Sequence, residues 1–137
     1  MINNPRKFLE GLFYEAVRAA DPEQIMQPFI PVPPKGKTFV IGVGKAAAKM
    51  AATFEANFSG PLSGLVVCPY GQKTKCKNIE VLEASHPLPD ENGLIASRKI
   101  LSMVNNLKSD DLVVALICGG GSALLPAPPE GLSLQDE

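Results

Sequence analysis

Six consecutive apolar residues, Leu112 to Ile117, follow the polar turn Lys108-Ser109-Asp110-Asp111 and run through Cys118 into Gly119-Gly120-Gly121-Ser122. An unbroken apolar run of this length, containing Val and Ile, reads as a strand buried on both faces, the pattern of a parallel sheet covered by helices. Glycine turns through positive φ at little steric cost and leaves its N–H groups uncovered. Three glycines at the end of such a strand therefore make either a tight turn or a loop that can wrap an anion, with the Ser122 hydroxyl at its end. The arrangement has an earlier counterpart. Thr38-Phe39-Val40-Ile41 runs into Gly42-Val43-Gly44-Lys45, and Ala46, Ala47, Met50, Ala51, Phe54 and Phe58 then keep a helical stripe.

Between these two units the chain keeps the same alternation. Gly64 to Cys68 and Ile79 to Ala84 read as short strands separated by a Pro69 and Gly71 turn, and Asp90 caps a helix from Glu91 to Leu107. The core stripe of that helix is Leu94, Ser97, Ile100, Leu101, Val104 and Leu107. Apolar strands alternating with helices predict an α/β fold: a Rossmann-like, mostly parallel sheet flanked by helices in three α/β/α layers. Ligands of such sheets sit beyond the carboxyl ends of the strands, where both glycine segments fall.

Residues 1–36 read as a separate segment. Asn4-Pro5 and Asp21-Pro22 each start a helix; Phe8, Leu9, Leu12, Phe13, Ala16, Val17 and Ala20 share one face of the first, and Ile25, Met26 and Phe29 mark the second. With no convergent catalytic side chains, the pair reads as a covering or docking element, ended by a stiff connector at Pro28, Pro31, Pro33 and Pro34. Residues 37–137 form the α/β domain. Its tail loops through Pro126, Pro128, Pro129 and Gly131 to a helix start at Ser133 and Asp136, which predicts an N-terminal part of a longer protein, with an unfinished sheet. An exposed strand edge in turn predicts self-association into a homo-oligomer.

Thirteen basic against fourteen acidic residues give a formal charge of -1, which argues against nucleic acid or an anionic membrane as partner. No apolar run approaches a membrane span or a signal sequence, so the expectation is a soluble, cytoplasmic protein. Cys68, Cys76 and Cys118 lack metal-ligand spacing and read as small, mostly buried thiols, so no metal site is expected from them.

Gly42-x-Gly44-x-x-Ala47 formally matches the dinucleotide pattern, but the second strand ends in Cys68-Pro69-Tyr70 and supplies no carboxylate for a ribose. The P-loop pattern fails as well, with Phe39 at its first glycine position and Ala46 after the lysine. What remains is Lys45 on a glycine turn at a helix start, where a cation and N–H groups could meet a phosphate or carboxylate. Ser85-His86-Pro87-Leu88-Pro89-Asp90, which holds the sole histidine, reads as a stiff polar wall for a small substrate. Sequence adjacency does not place Ser85 and His86 in triad geometry. A lone histidine is more often a structural hydrogen-bonder, and Asp90 reads first as a helix cap.

Gly42-Val43-Gly44-Lys45-Ala46, Ser85-His86-Pro87-x-Pro89-Asp90-x-x-Gly93 and Asp111-Leu112 through Gly119-Gly120-Gly121-Ser122-Ala123-Leu124 together resemble the N-terminal half of the class II glycerate 2-kinases, the MOFRL-associated family, over nearly the whole chain. The resemblance implies transfer of the ATP γ-phosphate to the 2-hydroxyl of D-glycerate, with ATP and Mg²⁺ as cofactors and small molecules as partners. It also implies Lys45 as catalytic residue and Gly42, Gly44, Ser85, His86, Gly119, Gly120, Gly121 and Ser122 as substrate- or phosphate-binding residues. Members of that family are much longer, so a chain of 137 residues is expected to be inactive alone. The family has also been labelled hydroxypyruvate reductase. An NAD(P)-dependent reductase binding nicotinamide along Gly42 to Ala47, and a non-catalytic phosphosugar-binding module, stand as alternatives.

Overall fold

Strand β1 (Thr38–Gly44) is one of the two interior strands of the sheet. It pairs in parallel with β2 (Leu62–Pro69) on one side and β4 (Leu112–Cys118) on the other, and β2 pairs in parallel with β3 (Ile79–Ala84). The order is β3-β2-β1-β4. The computed structural model describes residues 4–136; Met1 to Asn3 and Glu137, the outermost residues of the two segments expected from sequence, lie outside the described residues.

Successive strand residues point to opposite faces, and each face has its own helix. Helix α3 (Ala47–Asn57) lays Ala47, Ala48, Ala51 and Phe54 over Val40, Val66, Cys68, Val81 and Leu116. On the other face, Ala96 and Ile100 of α4 (Glu91–Val104) pack with Leu65, Val67, Ala84 and Leu124. The three-layer α/β/α expectation is met, with the core divided by the sheet.

The N-terminal helices form where their caps place them. Asn4 accepts from the Lys7 N–H at 3.0 Å to start α1 (Pro5–Ala19), and Asp21 accepts from the Glu23 N–H at 3.0 Å to start α2 (Pro22–Ile25). A 3₁₀ turn at Gln27–Phe29 follows, and Met26 and Ile30 pack against the α3 side of the core. Lys49 of α3 reaches Asp21 at 2.6 Å, so the covering role expected for this segment falls to α2 and the turn after it. The apolar stripe of α1 forms but none of its residues is buried.

Three local expectations change. β1 runs through Gly44, so Gly42 and Gly44 are strand residues and the turn is Lys45 and Ala46. A Cβ on Gly42 would lie 2.7 Å from the Leu116 carbonyl oxygen, and one on Gly44, at φ +125°, would run into the Cys118 carbonyl, so both glycines let β1 and β4 approach. β4 is an edge strand, not one buried on both faces: Ala115 and Ile117 are exposed, because α4 lies over β1, β2 and β3 only. Finally, α4 stops at Val104 and buries Gly93, Ala96, Ser97 and Ile100 while Leu101 stays exposed. The helix is turned toward its small residues by the segment Leu124 to Pro126, against which a Cβ on Gly93 would stand 2.8 Å from Pro126 Cδ.

The start of the sheet is fixed by one carboxylate. Asp111 Oδ1 accepts from the Lys37 N–H at 2.7 Å and Oδ2 from the Lys108 N–H at 2.9 Å, tying the entries of β1 and β4 together. Those backbone donors hold the Asp111 carboxyl below its ordinary range.

Phe54 is 1% exposed and Leu101 60% exposed. Chemical denaturation is expected to show a loss of about 3–5 kcal/mol for Phe54→Ala, and of no more than about 0.5 kcal/mol for Leu101→Ala, although both residues belong to helical apolar stripes in the sequence.

Candidate functional site

From β1 the chain crosses through α3 to β2 on one side, whereas β4 arrives on the other side after α4. The carboxyl ends of β1 and β4 therefore flank the topological switch point of the sheet, where the two crossovers diverge and leave a crevice. A cavity of about 380 Å³ opens there, bounded by Lys45, by His86 and Pro87, and by Cys118 through Gly120 and Ser122 through Leu124. The hollow of about 500 Å³ between α4 and residues 127–135 is lined by none of the strand-end loops.

Each wall has a local cause. Lys45 sits in the turn after β1, exposed and without an ion-pair partner among the described residues. The next helix, α3, has Ala46 at its N-cap and hence no side chain to satisfy its first N–H groups. After β4, Gly119 adopts φ +75°, and the Cβ positions of Gly119 and Gly120 are open space, so the backbone there is uncovered. Gly121 differs: a Cβ would stand 2.5 Å from Val43 Cγ1, and its carbonyl accepts from the Leu124 and Leu125 N–H groups at 3.0 and 2.8 Å. This turn drops Leu124 into the core and leaves Ser122 on the cavity wall.

The loop from Ser85 to Asp90 supplies the third wall. Asp90 Oδ1 accepts from the Gly93 N–H at 3.0 Å, capping α4, and Oδ2 accepts from the Tyr70 hydroxyl at 2.5 Å. The Ser85 N–H, at the other end of the loop, also favours the charged form of this carboxyl. Burial pushes the Asp90 carboxyl up, but the donors Tyr70, Gly93, Ser85 and Asn92 outweigh it and hold the group below its ordinary value.

The lining thus offers a cation, Lys45, next to the uncapped start of α3, and an open glycine backbone, with no carboxylate among the described residues, and its chemistry favours an anion. A divalent cation does not fit the same lining, because Mg²⁺ requires oxygen ligands of which at least one is usually a carboxylate. Among the described residues no group of three or more His, Cys, Asp or Glu is placed to hold a metal ion. Cys68 lies in the core, where burial and, secondarily, Glu83 push its thiol up to about 11; it is unreactive at neutral pH.

Of the residues singled out in the sequence, Lys45, His86, Gly119, Gly120 and Ser122 come together around the cavity. Gly42 and Gly44 are buried inside β1, Ser85 is half-buried at the start of its loop, and Gly121 packs on Val43; none of the four lines the cavity. Pro87 belongs to the wall expected at Ser85 to Asp90; Cys118, Ala123 and Leu124, and Tyr70 and Asn92 behind the loop, were not singled out, because their placement depends on which strand ends meet.

A family model described as a domain of unknown function, DUF4147, matches residues 8–137. Among curated proteins, one of Agrobacterium vitis named "Putative hydroxypyruvate reductase" is 46% identical over 133 residues, covering 96% of this chain and 30% of that protein. A glycerate 2-kinase of Pyrococcus horikoshii is 39% identical over 134 residues, covering 89% of this chain and 30% of its own length. Among solved structures, a Pyrococcus horikoshii protein superposes with a TM-score of 0.83 at 36% identity, over 99% of this chain and 34% of that one. A Thermotoga maritima glycerate kinase gives 0.82 at 30% identity, over 95% and 32% of the two chains. The chain thus spans about a third of the length of the proteins it matches.

The glycine loop makes a contrast that thermal melting can read. Gly120→Ala is expected to change stability by no more than about 0.5 kcal/mol, whereas Gly121→Ala, pressed on Val43, is expected to cost about 1–3 kcal/mol. Because the Asp90 carboxyl is lowered in the folded state, its stabilisation is complete above the unfolded carboxylate pKa of about 4 and is lost as pH falls through the lowered value. Melting temperature against pH is therefore expected to fall less steeply below about pH 4 in Asp90→Asn than in the parent chain.

Proposed function

The chain belongs to the DUF4147 family, and from that membership and the cavity we propose that it serves transfer of the ATP γ-phosphoryl group to the 2-hydroxyl of D-glycerate. One observation carries the reading: Lys45, just before the uncapped start of α3, and the open Gly119-Gly120 backbone line one cavity at the switch point of the sheet, with no carboxylate in its lining among the described residues. Phosphoryl transfer asks little covalent chemistry of a protein. It needs cations and N–H donors around the moving group and a fixed acceptor hydroxyl.

In this reading the Lys45 ammonium neutralises charge that accumulates on the phosphoryl oxygens. The N–H groups of Gly119 and Gly120 and the Ser122 hydroxyl hold carboxylate or phosphate oxygens, and His86 with Pro87 walls the acceptor. Gly42, Gly44 and Gly121 act at one remove by bringing β1 and β4 together, and Ser85 by anchoring its loop. The nucleotide and D-glycerate are diffusible cytoplasmic partners. Since the chain spans about a third of its relatives, turnover is assigned to the longer polypeptide, and this chain alone binds without turning over.

The reductase reading draws on a name that two relatives share, but β2 ends at Pro69 with Tyr70 after it, so the end of that strand supplies no carboxylate of its own for a dinucleotide ribose. The non-catalytic module differs from the kinase in predicting ligand binding without ADP.

The test is ADP formation in a chimera in which this chain replaces the matching third of the Thermotoga maritima relative, checked for folding by circular dichroism. ADP is expected only when D-glycerate is present, with a loss of about 10²–10³-fold in Lys45→Ala. A folded chimera that forms no glycerate-dependent ADP, or that oxidises NADH with hydroxypyruvate, would overturn the kinase reading.

A further inference from the structure

Tyr70 stands one residue beyond β2, on a strand end that contributes nothing to the cavity lining. Its ring is 53% exposed, so apolar burial explains little of its place. What defines it is the hydroxyl, which donates to Asp90 Oδ2 at 2.5 Å and accepts from Asn92 Nδ2 at 2.7 Å. Asp90 is the last residue of the loop that carries His86 and Pro87. Its carboxylate also takes the Gly93 N–H of α4.

A single carboxylate at the base of the loop therefore caps the following helix and is tethered by a phenol to the end of the neighbouring strand. The tip has no such restraint. His86, Pro87 and Leu88 are exposed, and the imidazole makes no hydrogen bond among the described residues. Where His86 and Pro87 stand depends on the base of the loop, and the base depends on the phenol–carboxylate contact. The pairing suits a permanent latch. The hydrogen bond to Asp90 raises the Tyr70 phenol, and Asp90 is held low, so donor and acceptor keep their forms across the neutral range.

We propose that Tyr70, supported by Asn92, is a positioning residue: through the Asp90 carboxylate it latches the Ser85–Asp90 loop and sets where His86 and Pro87 face Lys45 across the cavity. The inference rests on the reading of that cavity as the D-glycerate and phosphate site, and assigns to a residue outside it part of the control of affinity. The alternative is that Tyr70 merely helps cap α4, in which case its loss would lower stability and leave the cavity unaltered.

His86 is the sole histidine, so its imidazole C–H signals in an NMR spectrum of the 137-residue chain are unambiguous. They would be recorded for the parent chain, Tyr70→Phe, Asn92→Ala and, as a destabilised control on the opposite face of the sheet, Phe58→Leu. Without ligand, Tyr70→Phe is expected to shift or broaden the His86 signals, Asn92→Ala to move them less in the same direction, and Phe58→Leu to leave them in place. With D-glycerate and inorganic phosphate titrated as probes, Tyr70→Phe is expected to weaken binding roughly tenfold, the scale of one charge-assisted hydrogen bond. His86 signals unchanged in position and width in Tyr70→Phe would overturn the latch, as would an effect matched by Phe58→Leu. If the parent chain binds neither probe, it is the reading of the cavity that fails, and the ligand-free His86 signals still decide the latch.

Discussion

The approach of β1 to β4 is the constraint from which the rest of the structure follows. Gly44 lies against the Cys118 carbonyl, Gly42 against Leu116, and Gly121 against Val43, and at each point a methyl group would be in the way. Parallel strands can approach in this manner only if the residues at the contact carry no side chain. The result is a sheet in which β1 and the edge strand β4 end side by side, with Lys45 leaving one and Gly119 leaving the other. At the opposite end Asp111 ties the entries of the same strands through the Lys37 and Lys108 N–H groups.

The anion-seeking character of the cavity comes from this backbone arrangement more than from charge. The chain as a whole is close to neutral, at -1. The cavity nonetheless gathers a lysine beside a helix start without a capping side chain and two glycines with nothing over them, and among the described residues its lining holds no carboxylate. Helix N-termini and exposed loop amides act over short distances, so they matter only where several converge. Asp90, at the end of the loop that carries His86, is occupied on its own side by Tyr70 and Gly93.

Two apolar surfaces lie outside this core. The stripe of α1 and the face of β4 carrying Ala115 and Ile117 are both uncovered. Together with the exposed Leu101 of α4, they are where hydrophobic pattern and burial part company. A pattern states that a face is apolar, and burial requires an element lying over it. α2 has such a contact, through Met26 and its neighbour turn on α3, and α1 does not.

The sequence by itself determined the alternation of strands and helices, the caps at Asn4, Asp21 and Asp90, the three-layer class, and the three segments that meet at the cavity. These are local matters: side-chain period, capping oxygens and glycine punctuation act within a few residues and leave a readable mark. Only the tertiary structure decided that Gly42 and Gly44 belong to a strand, that β4 is an edge, that α4 turns its small residues inward, and that Gly119 and Gly120 are open while Gly121 is packed. It also decided that Tyr70 and Asp90 meet. Each of these depends on which backbone comes to lie against which, and that is set by strand order and packing between residues far apart in the chain.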